Sequence, residues 1–136
     1  MANVKFLFEI YNPNPYAEKG KRHDKGDCVV RAICKATGLS WEDVYTELYQ
    51  YGLMIGDFGN SNLVYSAMLK DKGFVFESVK RTKGKKAPTV ESFCKEHTTG
   101  TYILRLAHHL TAIVDGVCYD TWYPQGRTVY GYWIKK

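Results

Sequence analysis

Asp115-Gly116 stands between two β-prone runs, residues 109–114 and 117–122, and no other dipeptide constrains the chain as strongly. Both central residues of a type I′ turn need positive φ, which Asp and Gly tolerate, so the pair predicts a two-residue hairpin. Such a turn also dictates which residues face each other. Pairing Val114 with Val117 sets Ala112 against Tyr119, Thr111 against Asp120 and His109 against Trp122. His109 and Asp120 are then diagonal neighbours on one face, within reach of a hydrogen bond, while alternation sends His108 to the other face.

The remaining elements follow from periodicity and punctuation. Residues 4–11 read as a strand stopped by Asn12-Pro13-Asn14-Pro15. After a loop rich in Lys and Arg, Val29, Ala32, Ile33 and Ala36 take helical spacing, with Asp27 as N-cap and Gly38 as the stop. A second helix opens at Ser40 with a capping-box-like Ser-Trp-Glu-Asp and runs to about Tyr51, and a third begins after Asn60 or Ser61 and stops at Gly73. Residues 74–80 alternate as a strand, Pro88-Thr89 introduces a short helix over 90–97, and strands follow over 101–107, 109–114, 117–122 and 128–134. Helices come mainly first and strands last, an order that predicts an α+β fold: N-terminal helices packed on an antiparallel sheet, in one domain over residues 1–136.

Composition narrows the classes. Hydrophobic residues at 45% and aromatics at 15% exclude disordered and low-complexity readings. No apolar stretch approaches the ~18 residues of a membrane helix, and Met1-Ala2-Asn3-Val4-Lys5-Phe6 lacks the features of a secretory signal, so a cytoplasmic location without membrane contact is expected. There Cys28, Cys34, Cys94 and Cys118 stay reduced. None forms a Cys-x-x-Cys pair, and neither a metal nor a cofactor is expected.

Cys28 is the cysteine with a chemical signal. It falls at the start of a helix, where unpaired N–H groups and the positive end of the dipole favour a thiolate. Gly26-Asp27-Cys28-Val29-Val30-Arg31-Ala32-Ile33, then His109-Leu110-Thr111-Ala112-Ile113-Val114-Asp115-Gly116, then Asp120, resembles the papain-like cysteine peptidase superfamily. The nearer likeness is to small papain-like proteins of phages and bacteria, and the more distant one to bacteriocin-processing peptidases and Josephin-type deubiquitinases. The resemblance spans about residues 22–122. It implies Cys28 as nucleophile, His109 as general base and then acid, and Asp120 as the group orienting the imidazole. A peptide or protein substrate cleaved at an amide, isopeptide or related acyl bond is what it further implies.

One position departs from that pattern. Family members commonly carry a Gln five or six residues before the Cys as oxyanion donor, and here His23 and Arg22 occupy those positions. The Cys28 backbone N–H supplies one donor, and His23 or Arg22 is the candidate for the second. Asp27 matches the Asp-Cys of bacteriocin-processing relatives, although an N-cap role explains it without chemistry. Trp122, on the face of His109, is a candidate wall for a substrate groove. Two alternatives stay open: a papain-like interaction module without turnover, suggested by the missing Gln, and a nucleic-acid-associated binding protein. The second is suggested by Lys80, Arg81, Lys83, Lys85 and Lys86 and by Lys19, Lys21, Arg22 and Lys25, within a net charge of +5. A solvated loop is the preferred reading of the first cluster, since no aromatic interleaves it. Oligomeric state has no sequence signal.

Overall fold

A computed structural model describes residues 5–17 and 26–136. Its elements are β1 (Leu7–Ile10), α1 (Cys28–Thr37), α2 (Trp41–Ile55), α3 (Asn62–Asp71), β2 (Phe74–Ser78), α4 (Val90–Glu96), β3 (Thr101–Leu106), β4 (His109–Val114), β5 (Val117–Asp120) and β6 (Gly131–Lys135). Among the described residues no helix is long and apolar enough to cross a membrane.

Local chemistry accounts for most boundaries. Gly38 closes α1 with a left-handed φ of 77°. Ser40 and Ser61 accept the backbone N–H groups of Asp43 and Val64 at 3.1 and 3.3 Å, so both cap their helices as the sequence predicts. Thr89 and Ser92 form a reciprocal box at the start of α4. Two expectations need correcting. Asp27 occupies the N-cap position of α1, but its carboxylate makes no capping bond there. The second helix also runs one turn past Tyr51, because Gly52 sits inside it where the loop folds back: a Cβ at Gly52 would stand 2.5 Å from the Asp57 carbonyl oxygen.

The six strands form one sheet in the order β1-β5-β4-β3-β6-β2. The β4–β5 hairpin has the expected register, with Val114 opposite Val117 and Ala112 opposite Tyr119, and Asp115 and Gly116 take φ of 49° and 79°. The sheet is not purely antiparallel, as expected from the order of elements, but mixed, since β1 runs parallel to β5 with Leu7 opposite Val117. Direction is set by a tight turn only between consecutive strands. The chain leaves β1 through the helices and returns to its neighbour late, so nothing local opposes a parallel pairing.

Alternate residues of β3 and β4 feed two cores. Ile103, Leu110 and Ala112 join α1, α2 and α3 through Ile33, Val44, Val64 and Met68. Leu104, Ile113 and Cys118 join α4 through Val90, Phe93 and Cys94. Each fully buried aliphatic side chain contributes about 1.5–3 kcal/mol, which anchors α1 against β4 and thereby fixes where the helix tip falls.

Candidate active site

The tip of α1 and the open end of the β4–β5 ribbon meet. Cys28 is the first residue of α1, preceded by Gly26 at φ 75°, and it is half-buried. His109 is the first residue of β4. It follows a two-residue turn, Ala107-His108, in which His108 takes φ 55°, so His108 belongs to the turn and not to the opposite sheet face that simple alternation suggests. Asp120 ends β5 and is 3% exposed.

These three residues are linked. His109 Nε2–H donates to Asp120 Oδ2 at 2.6 Å, and a carboxylate that can only accept fixes which ring nitrogen carries that proton. The remaining nitrogen, Nδ1, is left free of that bond, and Cys28 and His109 line the same cleft. Asp120 Oδ1 accepts from the Thr121 backbone N–H at 2.7 Å. Trp122 lies against the imidazole with ring centroids 4.8 Å apart, and Arg127 covers the outer side of the indole at 5.4 Å.

The electrostatics follow from this arrangement. Burial pushes the Cys28 thiol up, but the His109 hydrogen bond, the main chain of Leu110 and the charges of His109 and Arg31 outweigh it, so the thiol lies below its ordinary value. Burial pulls His109 down, yet Asp120 and Cys28 overcome it and raise the imidazole to about 9. Both shifts favour the thiolate–imidazolium pair over the neutral one.

Cys28 opens into a cleft of about 400 Å³ lined by Val29, Asn60, Tyr65, Arg105, His108 and Leu110, among others. Gly26 and Asn60 also line a second hollow of about 240 Å³ bounded by Tyr45, Leu48, Tyr49 and Phe58. Trp122 does not line the Cys28 cleft, because its indole is spent on His109. The Asp27 carboxylate is occupied by Arg31, Trp41 and Asn14 and lines the second hollow instead. Arg22 and His23, with Lys19, Lys21 and Lys25, lie outside the described residues. The loop carrying Lys80, Arg81, Lys83, Lys85 and Lys86 is exposed, and none of the five lines the cleft.

Sequence reasoning passed over Arg31, which lies 3.6 Å from Asp120, and Asn60, Tyr65 and Arg105 in the cleft. For Arg31 a signal was present: a lone cation inside the apolar run Val29-Val30-Arg31-Ala32-Ile33 either spoils a buried face or is paired there. Among the described residues, no group of three or more His, Cys, Asp or Glu is placed to hold a metal ion. Comparison with protein-family models, curated proteins and solved structures yields no match.

Proposed function

We propose that the protein is a cysteine hydrolase of papain-like type that cleaves an amide, isopeptide or related acyl bond through Cys28, His109 and Asp120. The observation that carries the reading is that Cys28 and His109 line one cleft while the imidazole is hydrogen-bonded to the buried Asp120 carboxylate. In the reaction the Cys28 thiolate attacks the substrate carbonyl carbon, and the Cys28 N–H, among the donors left unpaired at a helix start, faces the developing oxyanion. The His109 imidazolium gives its proton to the leaving nitrogen as the C–N bond breaks, leaving a thioester. His109 then takes a proton from water, which attacks the thioester carbonyl, and the acid departs with the thiolate restored. Asp120 holds the imidazole in the required tautomer and stabilises its cationic form.

A polypeptide substrate fits the surroundings better than a small acyl donor. The cleft continues past Gly26 and Asn60 into the hollow walled by Tyr45, Tyr49 and Phe58, whose ring is 80% exposed, and an apolar side chain of an extended substrate is the occupant such a wall suits. Phe58→Ala is therefore expected to raise KM for peptides with an apolar residue near the scissile bond by about tenfold while kcat is kept, in line with ~1–3 kcal/mol for an apolar contact.

The direct test is a fluorescent cysteine-directed probe applied to wild type and Cys28→Ser, with mass spectrometry of the labelled residue. Labelling confined to Cys28, faster than a free thiol and rising at a pH below the ordinary thiol range, is expected. Labelling of Cys28 at the rate of a free thiol would sink the reading.

A further inference from the structure

Arg31 is 8% exposed, and its guanidinium reaches two acids. Nη1 donates to Asp27 Oδ1, one turn earlier in the chain, and Nη2 stands 3.6 Å from Asp120 Oδ1. Asp27 is itself gripped from two other elements, by Trp41 Nε1 of α2 at 3.3 Å and by Asn14 Nδ2 of the loop after β1 at 3.5 Å. We infer that Arg31 is a positioning residue for the Cys28–His109 pair, tying the acid behind the imidazole to the same helical turn that carries the thiol. The inference rests on the proposed function and adds to it the residue that aligns the two halves of the site.

Thiol and ring belong to separate elements, α1 and the β4–β5 ribbon, so their alignment depends on what joins those elements at the site. Apolar packing of Ile33 on Leu110 and Ala112 brings the two elements together, and the Arg31–Asp120 contact is a polar tie between them at the site. A buried carboxylate holds its charge and orientation only when its oxygens are partnered, and Asp120 Oδ1 has Arg31 and the Thr121 N–H for that purpose. An arginine suits the place because its planar fork can serve two carboxylates at once, whereas a lysine offers a single compact charge. The same cation also favours the Cys28 thiolate. The other titratable groups facing Cys28 are His109 of β4, Tyr65 of α3, and the cleft-lining Arg105 and His108. Facing Asp120 are His109, Arg31 and, from its own strand, Cys118.

The test measures alkylation of Cys28 by iodoacetamide against pH in the full chain, for wild type, Arg31→Met, Arg31→Gln and Arg31→Lys, and for Arg31→Gln in an Asp120→Asn background. Loss of the cation in Met or Gln should move the rising limb up by about one pH unit, a tenfold slower reaction below the limb. Lysine, which keeps the charge but not the fork, should restore only part of it. If Met cannot be accommodated beside the two carboxylates, Gln, which still donates to one of them, carries the comparison. Because Arg31 acts in part through Asp120, its effect should shrink when Asp120 is already Asn. A wild type without a lowered limb sinks the hydrolase reading itself. A lowered wild-type limb that Met or Gln leaves in place, or an Arg31 effect undiminished in the Asp120→Asn background, overturns this inference alone.

Discussion

Cys28 at the tip of α1 opens into a cleft with polar walls, Cys118 beneath α4 sits in an apolar core, and one strand supplies a polar neighbour to each. His109, at the start of β4, lines the cleft with the first thiol, while Thr111, two residues along, stands 3.6 Å from the second. Burial raises both. At Cys118 a neutral hydroxyl offsets little of it, and the thiol is pushed up to about 12; Cys34 and Cys94, also raised by burial first, reach about 12 as well. At Cys28 an imidazole that is itself held protonated, helped by Arg31 and the Leu110 main chain, reverses the outcome. The lowered thiol thus comes from neighbouring cations and not from exposure.

The strongest way to break that contrast is His109→Ala. With the ring gone, burial becomes the dominant influence on Cys28, so its alkylation limb should move above the ordinary thiol range and resemble that of Cys118. Turnover should fall by about 10²- to 10⁴-fold, the usual worth of a general acid–base. A variant that keeps the low-pH limb would show that α1 alone activates the thiol. Stability carries the same signature. The folded state raises His109 from 6.5 to about 9, so the stability it supplies is fully present below pH 6.5 and is lost as pH rises through about 9. Cys28 is lowered from 9.0, and its contribution is present above pH 9.0 and is lost as pH falls through its folded value. In a Cys28→Ser background, which removes the opposing thiol contribution, the melting-temperature advantage of His109 over Ala should therefore shrink as pH rises through the folded imidazole value, and thermal scans across that range measure it.

A sharper comparison, with a smaller expected effect, uses all four thiols at once. Cys34, Cys94 and Cys118 are buried and protonated, so a thiol reagent at neutral pH should modify Cys28 quickly and the other three only as fast as the fold opens. All four should react together in denaturant. Rapid native modification of Cys118 would remove the contrast between the two regions.

How far the sequence reveals this site depends on whether each link is local. The hairpin register follows from Asp115-Gly116 because a two-residue turn leaves little freedom, and the same register places His109 and Asp120 on one face, where they bond at 2.6 Å. The start of α1 at Cys28 is legible from apolar spacing and Gly38. What is not legible crosses the chain. The parallel pairing of β1 with β5 has no turn to announce it, and Arg31 finds Asp120 only once helix and ribbon are packed. Asp27 shows the cost of reading locally, since a residue type suited to an N-cap is drawn off by Arg31, Trp41 and Asn14. His108 fails alternation because the β3–β4 connection is a two-residue turn without the Asn-Gly or Asp-Gly signal that marks the next one.

Trp122 sets the smallest expected effect, and it separates alignment from shielding. Its indole packs on His109 at 4.8 Å and also meets the Arg127 guanidinium at 5.4 Å, so it covers the imidazole and its bond to Asp120 without donating or accepting there. Trp122→Ala leaves the Asp120 bond in place but lets solvent compete for it. Turnover should drop by about threefold to tenfold, well short of losing the ring itself. Trp122→Phe, which keeps an aromatic face over the imidazole, should recover most of that loss. Equal defects in Ala and Phe would mean that the indole acts by something other than cover, and the contrast between the two thiols would then rest on the hydrogen-bonded groups alone.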